Sequence, residues 1–228
     1  MNSQIILASA SPRRKELLAQ IGYDFTVVVS DVDENIEKCE PSEYVKELSK
    51  RKAMAVASMV GADSNEGCST VIIGADTVVA IGGEILGKPK DEEDAVKMLL
   101  MLSGRSHSVY TGVTLVSMTK ASGFQKISGE AKVSCESKMP GEQKIAGEAK
   151  VSNEKTDVSI ESFCDETRVY MYPITEQEAR DYVASGEPMD KAGSYAIQGI
   201  AGKFVEKIEG SYNNVVGLPV EKIYQRLK

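Results

Sequence analysis

The run VIIGADTVVAI at residues 71–81 constrains the fold most. Val71, Ile72 and Ile73 on one side and residues 78–81 on the other read as one buried strand, but Asp76 and Thr77 put a polar step where a core would be apolar. An acid directly after Val-Ile-Ile-Gly-Ala is partly buried, and a partly buried carboxylate needs a partner or a purpose. Gly82 and Gly83 then supply a tight hairpin turn, and the chain returns through Glu84, Ile85 and Leu86 into the loop Gly87-Lys88-Pro89-Lys90.

Around this strand, apolar runs and helical stretches alternate. Residues 4–8 predict a strand, Ser-Ala-Ser-Pro a loop, and 13–20 a helix; 25–29 predict a second strand. Residues 41–59 predict a helix with Val45, Leu48, Ala53 and Val56 near one face. Asp91 or a near neighbour is placed to cap a helix that runs to about 102 and stops near Ser103-Gly104. Residues 109–118 and 167–173 predict two further strands, and Thr175-Glu176-Gln177-Glu178 opens a helix in capping-box fashion. This order fits an α/β fold with a mixed sheet better than a helical bundle or a β-sandwich.

The bulk properties narrow the function. With 228 residues and 42% hydrophobic content the chain can bury a substantial core, in one domain or two closely packed lobes. A formal net charge of −7 lacks the basic footprint of a nucleic-acid binder, so any phosphate site must be local. Cys39, Cys68, Cys135 and Cys164 are widely spaced and form no Cys-x-x-Cys pair, which suggests reduced thiols rather than a zinc ribbon or disulfide scaffold. The N-terminal apolar stretch is too short and wrongly flanked for a secretory signal, and no later run is long enough to span a membrane. A cytoplasmic protein with no nucleic-acid or membrane partner is the expectation.

One segment stands apart. QKISGEAKVS at 125–134 recurs as QKIAGEAKVS at 143–152, a local duplication rich in Gly, Ser, Glu and Lys. It offers little apolar surface to offset ordering entropy, so residues 119–160 are expected to form an exposed loop or hairpin. Two copies are too few for a solenoid.

Three sets of residues could carry chemistry. Ser9-Ala10-Ser11-Pro12-Arg13-Arg14 gathers hydroxyls, free amides and two guanidinium groups at a helix start, which suits a phosphate; a Ser-Pro helix start with solvated arginines is the other reading. Asp31, Asp33 and Glu34 in a loop, with Asp76 on the strand, are hard oxygen donors suited to Mg²⁺ or Mn²⁺, although loop acids are commonly just solvated. Lys52, Lys88, Asp190 and Lys191 are single charges, each weak alone. His107, the one histidine, belongs to no triad or metal spacing and is expected to be structural, and there is no Walker or Gly-x-Gly-x-x-Gly motif.

Together, LASASPRRKELL, SDVDE, RKA, IGADTVV, ILGKP, LSGRSHSVYTGV, YVASGEPMDKAGSYAIQG and GSYNNVVGLP resemble the Maf family of nucleotide pyrophosphatases over nearly the whole chain. The resemblance implies one Maf-like α/β domain over 1–228, with an elongated mixed β-sheet flanked by helices, two lobes around a deep nucleotide-binding cleft, and frequent homodimers. It further implies metal-dependent hydrolysis, with Mg²⁺ or Mn²⁺, of a nucleoside triphosphate to its monophosphate and pyrophosphate. By position, Asp76 matches the water-activating base, Ser9, Arg13, Arg14, Lys52 and Lys88 the phosphate contacts, and Glu34 with Asp76 the metal-linked acids. Arg13, Thr77 and Gln198 match the substrate-selecting positions of the branch acting on dTTP and UTP; a glutamine amide can pair with the O4 and N3–H edge of uracil or thymine. A non-catalytic nucleotide-binding regulator of septum formation is the alternative. The duplicated insertion departs from the family pattern and bears on partners or assembly rather than on the reaction.

Overall fold

In a computed structural model, the described residues are 3–37, 39–60, 69–120 and 156–228. They form β1 (Ser3–Ala8), α1 (Pro12–Gln20), β2 (Phe25–Val27), α2 (Pro41–Val60), β3 (Ser69–Ile81), β4 (Glu84–Leu86), α3 (Glu92–Leu102), β5 (Ser106–Lys120), β6 (Thr156–Met171), α4 (Glu176–Val183), β7 (Val205–Glu209), α5 (Tyr212–Val216) and α6 (Val220–Leu227), with 3₁₀ turns at Glu187–Asp190, Ala192–Ser194 and Ile200–Phe204. The strands make one seven-stranded sheet in the order β2-β1-β3-β5-β6-β7, and β4 pairs with β3. β1 runs parallel to β2 and β3, whereas β3, β5, β6 and β7 pair antiparallel. The fold is therefore α/β with a mixed sheet, as expected.

The period-two pleat sorts the apolar side chains of β1 and β3 to opposite faces. Ile5, Leu7, Val71, Ile73 and Ala75 pack with Leu17, Leu18 and Ile223 of α1 and α6 on one face. Ile6, Ala8 and Ile72 pack with Ala53 and Val56 of α2 on the other. Beyond Thr77, Val79 and Ile81 of β3 join a different cluster, built on Leu99 and Leu102 of α3 and Tyr182 of α4. The polar Asp76-Thr77 step thus falls where β3 passes from one packing centre to the next.

Two glycines let α2 approach the sheet this closely. A Cβ on Gly74 would lie 2.3 Å from the Ser49 carbonyl oxygen, and one on Gly112 would lie 2.2 Å from that of Val45. Any other residue would push the helix away.

Local signals are realised as read. Gly82 and Gly83, at φ +58° and +83°, turn the chain from β3 to β4. Asp91 accepts from the Asp94 amide at 2.8 Å at the start of α3, and Thr175 with Glu178 closes a capping box on α4. β5 and β6 are longer than the sequence pattern indicated: β6 begins at Thr156 rather than near 167, and pairs with β5 from Lys120↔Thr156 to Ser106↔Tyr170. Its first half reads Thr-Asp-Val-Ser-Ile-Glu-Ser, an exposed strand whose polar face hides the pattern; it is ordered by pairing along β5 rather than by burial. The borders of the expected loop at 119–160 are accordingly strand, and 121–155, including both copies of the repeat, lie outside the described residues. Cys39 and Cys164 are free; Cys68 and Cys135 also lie outside. No helix among the described residues is long and apolar enough to cross a membrane.

Candidate active site

A cavity of ≈ 580 Å³ lies beside the middle of β3. Most of the site residues singled out from the sequence line it: Ser9, Arg13 and Arg14 from the start of α1, Glu34 from the loop after β2, Lys52 from α2, Asp76 and Thr77 from β3, Lys88 from the loop after β4, and Gln198 from the segment before β7; Asp31 and Asp33 do not. Elements from both ends of the described chain therefore meet here.

The pleat gives Asp76 and Thr77 different partners. Asp76 takes the α2 face, where Lys52 Nζ donates to its Oδ1 at 2.7 Å. The same Nζ lies 2.8 Å from Glu34 Oε1, so two carboxylates far apart in sequence converge on one ammonium group. The Lys52–Asp76 pair is largely shielded, at 17% and 13% side-chain exposure, whereas Glu34 is 62% exposed at the rim. The Lys52 hydrogen bond holds the Glu34 carboxyl below the usual carboxylate range against an opposing contribution from burial, and the charges of Lys52, Lys88 and Arg14 act in the same direction.

The position of Lys52 follows from helical spacing. It stands four residues after Leu48 and three after Ser49, both buried, so it continues the inward face of α2 instead of pointing to solvent. Tyr44, Leu48 and Lys52 form an i, i+4, i+8 row, and all three line the cavity. Tyr44 went unrecognised in the sequence, although this row ending on a lysine was the available signal.

Thr77 points to the opposite face, towards α1. Arg14 is turned inward there: Nε donates to the Gly217 carbonyl at 2.8 Å, Nη1 to Ala75 O at 2.9 Å and Ser9 Oγ at 3.2 Å, and Nη2 to Thr77 Oγ1 at 3.0 Å. A guanidinium has five N–H groups, so this set leaves one for a ligand, and Arg14 chiefly ties α1, β3 and the end of α5 together. Burial presses its pKa below the ordinary arginine value, while Asp76 pulls it back up. Neither displaces its charge near neutral pH. Arg13 keeps a freer head, 3.6 Å from Asp190 Oδ2.

The start of α1 is open to an anion. Ser11 makes no side-chain cap bond, and Pro12 occupies the first turn. The Arg13 and Arg14 amides, at the positive end of the helix dipole, therefore lack the acceptor that a capping side chain would supply.

Behind the cavity runs a network that sequence reading did not resolve. Thr77 Oγ1 meets Thr111 Oγ1 at 3.0 Å, and Thr111 donates to the Asn214 carbonyl at 3.0 Å. The fully buried Asn214 amide donates to Val109 O at 3.0 Å and Thr167 Oγ1 at 2.9 Å. The motif GSYNNVVGLP thus works as a brace: Asn214 locks α5 onto β5 and β6, and Gly217 receives Arg14. His107, as expected, is structural; its Nε2 lies 2.7 Å from the hydroxyl of buried Tyr195, and burial lowers its pKa to about 4.

The donor set bears on a metal. Among the described residues no group of three or more His, Cys, Asp or Glu side chains could hold an ion. Glu34 and Asp76 nevertheless bring two hard oxygen donors to one place, which suits a Mg²⁺-type ion that takes one or two carboxylates and completes its shell with phosphate oxygens and water.

The family model described as Maf-like protein matches residues 4–228. The chain is 49% identical over 232 residues to a protein of Agathobacter rectalis named dTTP/UTP pyrophosphatase, covering 99% of this chain and 97% of that one. It is 42% identical to a protein of the same name from Carboxydothermus hydrogenoformans, with 99% and 97% covered, and 40% identical to one from Lachnoclostridium phytofermentans, with 99% and 94% covered.

Proposed function

The chain belongs to the family of Maf-like proteins, and from that premise we propose that it hydrolyses dTTP and UTP to the nucleoside monophosphate and pyrophosphate. The observation that carries this reading is that one cavity is lined by Arg13, Lys52 and Lys88, fitted to phosphates, by the carboxylates Glu34 and Asp76, fitted to a divalent cation, and by Gln198, fitted to a pyrimidine edge.

In this reading Asp76 accepts the proton of a water whose oxygen bonds to the α-phosphorus while the bond to the pyrophosphate oxygen breaks. Lys52 orients Asp76 and, with Lys88 and Arg13, stabilises charge gathering on the phosphate oxygens. The amides at the start of α1 and Ser9 seat a phosphate, Arg14 keeps that seat in place, and Thr77 and Gln198 face the nucleoside. Glu34 and Asp76 would hold Mg²⁺ or Mn²⁺, which when bound neutralises phosphate charge and polarises the reacting centre.

The test is incubation of the protein and Mg²⁺ or Mn²⁺ with dTTP, UTP, CTP, GTP and ATP, resolving monophosphate, pyrophosphate and inorganic phosphate. Monophosphate and pyrophosphate in equal amounts, formed fastest from dTTP and UTP, is the expected result. Release of single phosphates, or no turnover with either metal, would reject the reading.

A further inference from the structure

Gln198 sits in a turn that is held from both sides. On its N-terminal side, the Tyr195 ring is buried and its hydroxyl lies 2.7 Å from His107 Nε2 on β5. On its C-terminal side stands Glu187, which begins the 3₁₀ turn Glu187–Asp190. Glu187 Oε2 accepts from the Ile200 amide at 3.2 Å, and Oε1 accepts from the Tyr182 hydroxyl at 2.9 Å.

The carboxylate also packs against the residue directly after Gln198. Gly199 has φ +114° and ψ −152°, a conformation open essentially to glycine alone, and a Cβ there would lie 2.8 Å from Glu187 Oε2. Glycine reaches that region without strain, so the turn is held by its contacts. Glu187 supplies an acceptor for the next amide and a wall against the Cα. Tyr182 is a dependable donor to the carboxylate, because burial and then the hydrogen bond to Glu187 push its pKa above the ordinary phenol value.

The same residue reaches the phosphate side of the cavity. The Glu187 carbonyl accepts from Lys191 Nζ at 3.1 Å, and Lys191 also bonds Asp190, the partner of Arg13. Gln198 itself has no side-chain hydrogen bond among the described residues, so the place of its amide rests on the backbone that carries it.

We infer that Glu187 is the positioning residue for Gln198: its carboxylate clamps the Gln198-Gly199-Ile200 backbone so that the Gln198 amide meets the pyrimidine edge of the nucleotide at a set distance. This rests on the reading of the cavity as a uridine and thymidine triphosphate site. Glu187 touches neither substrate nor reacting atoms and acts through Gln198, so its loss weakens base recognition while sparing the Asp76–Lys52 chemistry.

The experiment is a double-mutant cycle with UTP as substrate and pyrophosphate release as readout. Glu187→Gln keeps the size of the side chain but turns one of its two acceptor oxygens into a donor, so the Tyr182 hydroxyl and the Ile200 amide can no longer both be accepted, and it should raise KM about tenfold, with kcat changed by less than about twofold. Gln198→Ala should raise KM at least as far, and the double variant should be no worse than Gln198→Ala alone, because the clamp has nothing left to place. Effects that multiply, an unmoved KM, or a loss confined to kcat would overturn the inference. Should Glu187→Gln lower the melting temperature below the assay range, Tyr182→Phe, which removes one donor to the carboxylate and keeps the ring, is carried through the same cycle. If the unmodified protein releases no pyrophosphate from UTP, the parent reading fails before any variant is compared, and the inference falls with it.

Discussion

Lys52 and Asp76, from a helix and a strand on opposite sides of a sheet interface, meet at 2.7 Å with both side chains largely shielded from water. An acid so placed would be costly without its cation, and the cation would be costly without the acid. Glu34 adds a second carboxylate to the same ammonium from the solvent side, so the cluster carries two negative charges against one positive.

Replacing Asp76 with Asn keeps the shape of the side chain and removes the base. Turnover of dTTP and UTP is expected to fall by about a hundredfold or more, the usual worth of a positioned general base. Circular dichroism should remain close to that of the unmodified protein, with a lower melting temperature because Lys52 loses a charged partner; full turnover in Asp76→Asn would reject the assignment.

Lys52→Met removes the main influence that holds the Glu34 carboxyl below its usual range, so that carboxyl moves upward. If ionised Glu34 is needed for activity, the acid limb of the kcat/KM profile shifts to higher pH in Lys52→Met. A pH series in matched ionic strength measures it, and an unmoved limb would separate Glu34 from the titration.

Glu34→Gln should raise the Mg²⁺ concentration for half-maximal activity, on the order of tenfold for loss of one carboxylate ligand. Chelation by EDTA should abolish turnover in the unmodified protein and added Mg²⁺ or Mn²⁺ should restore it. Full activity in chelator would remove the metal from the scheme.

Gly112→Ala tests how the site is built rather than how it reacts. Its new Cβ would lie 2.2 Å from the Val45 carbonyl oxygen, so α2 must move off β5. About 3 kcal/mol of stability should be lost, within the range for overpacking a close backbone contact. Urea unfolding gives the loss directly, and activity should fall with it because Lys52 travels on α2.

His107 makes stability depend on pH. Burial lowers its pKa from 6.5 to about 4, so between those values the unfolded chain binds the proton more readily than the folded one. Its contribution is fully present above pH 6.5 and is lost as pH falls towards 4, amounting to about 3 kcal/mol at most. His107→Gln lacks this dependence, so the loss in urea stability between pH 7 and 4.5 should be smaller in the variant than in the unmodified protein.

Much of the fold was legible because its signals are local. The apolar run of β3, the Gly82-Gly83 turn, the Asp91 cap and the Thr175–Glu178 capping box each act within a few residues, and each formed where the pattern put it. The first half of β6 was not legible: its alternation rests on Val158 and Ile160 alone, both exposed, and the length of β5 beside it makes the segment strand.

The site divides the same way. Residue types and motif order by themselves picked out side chains that line one cavity, Ser9, Glu34, Lys52, Asp76, Lys88 and Gln198 among them. Tertiary structure alone decided their working relations. The pleat sends Asp76 to Lys52 and Thr77 to Arg14, and Gly74 and Gly112 admit α2 to within bonding distance. The Arg14 guanidinium is drawn from a ligand-facing position into four acceptors on three elements. These are contacts between residues as much as 203 positions apart, and a sequence pattern encodes which groups are present but not which distant acceptor each will satisfy once packing has brought them together.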